Sequence, residues 1–165
     1  MWYNIKKNFS EDYMTKADKA REYFKQGYAC SQAVAMAFSD VAGFDEGQLA
    51  RILLPFGGGL GRLRLTCGAV SGMAAILGAV YSEEGSDPEN KLHIYEITRE
   101  LCDEFKARCG SLICSELLEE AGVDSSAGGA PEARTEQYYK KRPCDEIVYI
   151  AADILEKYLD THPRG

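Results

Sequence analysis

Six cysteines stand in this chain of 165 residues, and four of them share a context that suits thiol chemistry. Cys30, Cys67, Cys114 and Cys144 each fall in the first turn of a segment with helical periodicity. Cys30 precedes Val34 and Phe38, Cys67 precedes Val70 and Leu77, Cys114 precedes Leu117 and Leu118, and Cys144 precedes Ile147, Ala151 and Ile154. Spacings of three and four put each thiol on the inward face of its helix. A helix start offers unpaired N–H groups and the positive end of the dipole, both of which favour an anion. The four thiols are therefore expected to ionise below the usual value of about 8.5. A thiolate is both the nucleophile of disulfide exchange and a metal ligand, so the set points to a redox or metal centre. One such cysteine is as readily a small core residue. Four, all inward and all at helix starts, favour a functional reading.

The other two cysteines act as internal controls. Cys102 sits mid-helix and reads as a core filler. Cys109 sits at a helix C-terminus, where the dipole disfavours a thiolate. It lies five residues before Cys114 and so stands as a candidate resolving thiol. The four main cysteines are 37, 47 and 30 residues apart, unlike the C-x-x-C pairs of zinc ribbons. Any shared site must be assembled by the fold from four separate helices.

The elements that would do this follow from periodicity, since strand-like alternation is nearly absent. The expected fold is all-α, a single-domain bundle of about seven helices over residues 1–165, with its core in 10–160. The helices are expected from Ser10 to Gln26, Cys30 to Val41, Asp45 to Leu54, Thr66 to Tyr81, Pro88 to Cys109, Cys114 to Gly122 and Cys144 to Asp160. The fourth, capped by Thr66 and rich in Gly and Ala, reads as the central buried helix. Small residues such as Gly68 and Gly72 would let another backbone or a cofactor come close. Simple tight packing explains Gly72 and Gly78 equally well. Residues 122–131 are rich in Gly, Ala and Ser and are expected to be the most mobile connection. Before Cys67 runs Gly57-Gly58-Gly59-Leu60-Gly61-Arg62, which lacks a P-loop ending and follows no strand. It is either a tight turn or a cradle in which Gly58, Gly59, Gly68 and Arg62 or Arg64 hold an anionic cluster, a substrate or the thiolates. Tyr28 could shield Cys30 or simply pack, while His93, His162 and the acidic run Glu116, Glu119 and Glu120 read as surface.

Composition narrows the class. The formal net charge is −7 with no basic stripe, which disfavours nucleic acid and anionic membranes. Neither a signal peptide nor a spanning segment is visible, so the expected location is the cytoplasm.

The stretch Thr66-Cys67-Gly68-Ala69-Val70-Ser71-Gly72 carries a CGAxxG motif, with one cysteine before it and two after. In motif, cysteine order and glycine-rich approach, the chain resembles the C_GCAxxG_C_C family of redox-active proteins over about residues 17–159. A related domain occurs in split-Soret cytochromes, where iron–sulfur binding has been proposed. This chain has no C-x-x-C-H, so no haem attachment is implied. The resemblance implies a redox class without naming a substrate. Three readings stay open: an iron–sulfur cluster on the four thiolates, a metal-free thiol/disulfide centre, or a zinc-binding module with no redox catalysis. The first two make the chain an oxidoreductase or electron-transfer protein with a redox partner. The Gly/Ala face also suits a homodimer.

Overall fold

The computed structural model describes residues 14–164. Among these the chain is helical and contains no strand, and seven helices have seven residues or more. The all-α expectation holds. The helices are α1 (Lys16–Lys25), α2 (Cys30–Met36), α3 (Ser39–Ala42), α4 (Glu46–Leu53), α5 (Gly68–Tyr81), α6 (Pro88–Cys109), α7 (Cys114–Glu120), α8 (Glu136–Lys141) and α9 (Cys144–Thr161).

Local chemistry explains most of the boundaries. Thr15, not Ser10, caps α1: its hydroxyl accepts from the Asp18 N–H at 3.0 Å. The expected start at Ser10 lies outside the described residues. Asp45 caps α4 and Gln48 reaches back to the Asp45 N–H at 2.9 Å, completing a capping box. Pro88 and Gly110 bracket α6 as the sequence predicts. The expected second helix breaks after Met36, where Phe38 leaves helical geometry at φ −109°, ψ 18° and buries its ring completely. Cys67, rather than Thr66, occupies the cap of α5, while Thr66 forms an isolated antiparallel bridge with Ile113. The helix α8 was not expected; Thr135 caps it by accepting from the Tyr138 N–H.

Two helices cross at the centre. The residues of α2 after Cys30 are all buried, and α2 packs against α1, α4, α5 and α9. The Gly/Ala-rich α5 lies against it and buries Val70, Met73, Ile76 and Leu77, in keeping with the predicted central helix. The crossing depends on Gly72, because a Cβ there would sit 2.6 Å from the Ser31 carbonyl oxygen. Gly72→Ala is expected to destabilise by about 2–3 kcal/mol through overpacking. Gly78 has only the Ser82 hydroxyl within reach, at 3.8 Å, so Gly78→Ala should gain about 0.5–1 kcal/mol. Urea unfolding of the two variants measures both.

Candidate functional site

The glycine-rich segment is not a plain turn. A single 3-10 turn at Leu54–Phe56 runs into a coil in which Gly58, Gly59 and Gly61 are left-handed, and so are Leu60, Arg62 and Arg64. Non-glycine residues in that region cost about 1–2 kcal/mol each, so the surroundings must hold them. Backbone bonds do so: Arg64 N–H to the Gly58 carbonyl at 3.1 Å, Leu65 N–H to Gly59 at 2.9 Å, Gly128 N–H to Arg62 at 2.8 Å, and Cys114 N–H to Leu65 at 2.6 Å. Cys67 donates its N–H to Leu112 at 2.8 Å. The loop is thereby stitched to the approach of α7, which fixes Cys67 and Cys114 together. At Gly59 a Cβ would meet both the Cys114 Cβ and the Leu65 nitrogen at 2.7 Å, so the close approach of chain and thiol requires glycine.

Cys30, Cys114 and Cys144 are the first residues of α2, α7 and α9, and Cys67 is the residue before α5. The four helix starts meet around a cavity of about 450 Å³, and all four thiols line it. The sequence-predicted Gly58, Gly59, Arg62 and Gly68 line it too. Gln32, buried at the third position of α2, fixes the Cys30 end by accepting from the Ala29 N–H and donating to the Ala50 carbonyl. Residues 122–131 carry no helix and lie against the loop, with Arg62 Nε donating to the Gly128 carbonyl and Arg64 Nε to Ser126. Cys109 stands apart, lining a separate depression with Ser111 and Glu116, and Cys102 packs partly buried against the core. Tyr28 packs edge-on against Tyr23 rather than lining the cavity. His93, His162, Glu116, Glu119 and Glu120 are exposed.

Among the cavity residues that sequence reasoning missed are Arg134, Tyr138 and Arg142. Arg142 is 8% exposed, pairs with Glu132 and lies over the Tyr138 ring. Arg134 donates to the Phe24 and Tyr28 carbonyls and stacks on Phe24 and Tyr138. With Arg62 and the 5%-exposed Arg64, four of the chain's nine arginines line the cavity. Their only sequence signal was the clustering of arginine beside Cys67 and Cys144.

Helix starts do not lower all four thiols, which corrects the expectation. Burial pushes Cys67 up to about 12, although the Ala69 and Val70 N–H groups point at its sulfur as at a capping oxygen. Burial also raises Cys114, against the pull of the Arg64 guanidinium 3.7 Å from its sulfur. Cys144 alone is lowered, first by a hydrogen bond from Cys30 and then, against burial, by Arg142 and Arg134. Cys30 is raised well above its usual range, mainly because its proton is shared with Cys144. Within the pair Cys144 is therefore the thiol that ionises first. Alkylation with iodoacetamide near pH 8 is expected to modify Cys144 first among the four. Its rate should level off at lower pH than that of the other three, while Cys67 stays unreactive until far more alkaline pH. Peptide mass spectrometry against time reads the order.

All six cysteines are free, and among the described residues no three of His, Cys, Asp or Glu stand close enough to hold one metal ion. A family model described as "Putative redox-active protein (C_GCAxxG_C_C)" matches residues 28–158, which include all four cavity cysteines. The chain belongs to this family. Members are named for the cysteine pattern that here lines the cavity. No curated protein and no solved structure matches the chain. No described helix is long and apolar enough to cross a membrane.

Proposed function

We propose that the chain is a thiol/disulfide redox protein whose working pair is Cys144 and Cys30. The observation that carries this reading is that Cys144 and Cys30 start their helices at one cavity, where the Cys30 thiol draws Cys144 down and is itself pushed up. That division of labour is what exchange requires. The Cys144 thiolate attacks a disulfide R–S–S–R, forming a Cys144–S–S–R mixed disulfide and releasing RS⁻. The released thiolate takes the Cys30 proton. The Cys30 sulfur then attacks Cys144, closing the Cys30–Cys144 disulfide and expelling the second RS⁻. Two electrons pass from the pair to the substrate. Cys67 and Cys114, both raised by burial, stay protonated beside it.

The iron–sulfur and zinc readings ask more of the same cavity. A cluster would need all four thiols drawn onto shared irons, and zinc would need them gathered around one ion. The described thiols line one space, which favours a cluster over zinc, but no three converge. Anaerobic purification followed by an absorbance spectrum, metal analysis and a thiol count tests the proposal. A colourless, metal-free protein with six thiols, two of which are lost on oxidation by hydroxyethyl disulfide, is expected. Visible absorbance with stoichiometric iron and sulfide would overturn it in favour of a cluster. Six thiols that no disulfide oxidises would overturn it outright.

A further inference from the structure

The cavity is strongly cationic in a chain whose net charge is −7. Arg62, Arg64, Arg134 and Arg142 line it; among the described residues no lysine does, and the one carboxylate in its wall is Glu132, paired with Arg142. Asp124 lies in solvent beyond Arg64 and is not part of the lining. Setting Glu132 and one Cys144 thiolate against the four guanidiniums leaves two positive charges uncompensated among the described residues. Arg62, Arg64 and Arg134 have no described carboxylate within ion-pair distance. Their orientation is fixed all the same. Arg62 and Arg64 each commit Nε to a carbonyl of the facing segment, at 3.0 and 3.2 Å, which holds the guanidinium planes at the cavity wall. For Arg62 that carbonyl is the only described hydrogen-bond partner, so its terminal nitrogens are left for a guest. A planar guanidinium with an open edge is the group that binds carboxylates two-pronged. Arg64 contacts the Cys114 sulfur and Arg142 helps hold Cys144 down, but Arg62 does neither, so stabilising thiolates does not explain its place. The volume, about 450 Å³, suits a small molecule.

We infer that the cavity selects a small dianionic disulfide, one carrying a carboxylate on each half, as the substrate of the Cys144–Cys30 pair. This rests on the thiol reading above and adds the substrate class. One carboxylate lies against the open edge of Arg62 and the other faces the rest of the cationic wall, while the S–S bond faces Cys144. The exchange is balanced as before: two electrons go to the substrate, which leaves as two carboxylated thiols, and the pair becomes one disulfide.

The test compares three small disulfides on the reduced full-length chain at low ionic strength: dianionic 3,3′-dithiodipropionate, neutral hydroxyethyl disulfide and dicationic cystamine. Loss of two protein thiols is followed by time-resolved quenching. The dianion is expected to react at least about tenfold faster than the neutral compound and cystamine slower than both, with the preference shrinking as salt is added. Arg62→Gln should cut the ratio of dianion to neutral rate several-fold, and Arg62→Lys should restore part of it. Equal rates for the three disulfides, or cystamine fastest, would overturn the inference and leave the thiol pair standing. If no disulfide oxidises the chain, the thiol reading itself fails. Calorimetry with thiodipropionate, the thioether that cannot be reduced, then decides the cavity. Binding that Arg62→Gln weakens would uphold the anion site, and no binding would overturn it.

Discussion

Cys144→Ser is expected to slow reduction of hydroxyethyl disulfide by on the order of a thousandfold, because the poised thiolate is replaced by a hydroxyl that does not ionise. Cys30→Ser should behave differently. Cys144 remains, so the first exchange proceeds, but no neighbouring thiol can resolve the product. Intact mass should then show one substrate half attached to the chain, mapped to Cys144. The Cys30→Ser variant also loses part of the hydrogen bond that stabilises the Cys144 thiolate, so its alkylation should need higher pH than in the parent. The asymmetry separates nucleophile from resolving thiol. A metal-binding role would make the two substitutions equivalent, since each would remove one ligand.

Phe24→Ala is expected to be the most damaging change that leaves every thiol in place, costing about 3–5 kcal/mol of stability. Phe24 is 1% exposed in the core beneath the cavity wall. Its ring carries the Arg134 guanidinium at 4.5 Å and meets Tyr139 edge-on, with centroids 5.8 Å apart. Its carbonyl accepts from both Arg134 and Tyr139. Truncation therefore opens a void and releases the side of the cavity that carries Arg134 and Tyr138. Against a typical total of about 5–15 kcal/mol, the loss is a large share of the stability, and the guanidine unfolding midpoint should fall accordingly. The same variant should show a weaker preference for anionic over neutral disulfides, because Arg134 loses the ring that positions it.

How much of this was legible in the sequence depends on the range of each signal. Helix starts and stops are local: Asp45 with Gln48, Pro88 and Gly110 wrote three boundaries directly. The cysteine placement was local too, since a thiol ahead of an apolar stripe marks an inward helix start. Three features were not local. The break after Met36 has no Gly or Pro to announce it; it exists because Phe38 is pulled into the core. The left-handed Leu60, Arg62 and Arg64 bear side chains that disfavour that geometry, and bonds within the loop are joined by bonds from distant residues, Gly128 to Arg62 and Ser115 to Arg64, in holding them there. Arg134 and Arg142 come from a polar stretch that reads as surface, and reach the site because α8 folds back over it. The ionisation pattern failed for a related reason. The helix-start argument counts the dipole but not the burial, and burial outweighs it for Cys67 and Cys114.

The most direct measurement is to poise the chain in thiol/disulfide buffers of stepped potential, trap free thiols at each step, and map the first disulfide by mass spectrometry. The four cavity cysteines fall on separate tryptic peptides; Cys109 shares that of Cys114, and fragmentation of this peptide tells the two apart. The expected first product joins the peptide containing Cys30 to that containing Cys144, with Cys67 and Cys114 still free. A first disulfide between any other two cysteines, Cys109 with Cys114 included, would contradict the assignment of Cys144 and Cys30 as the working pair.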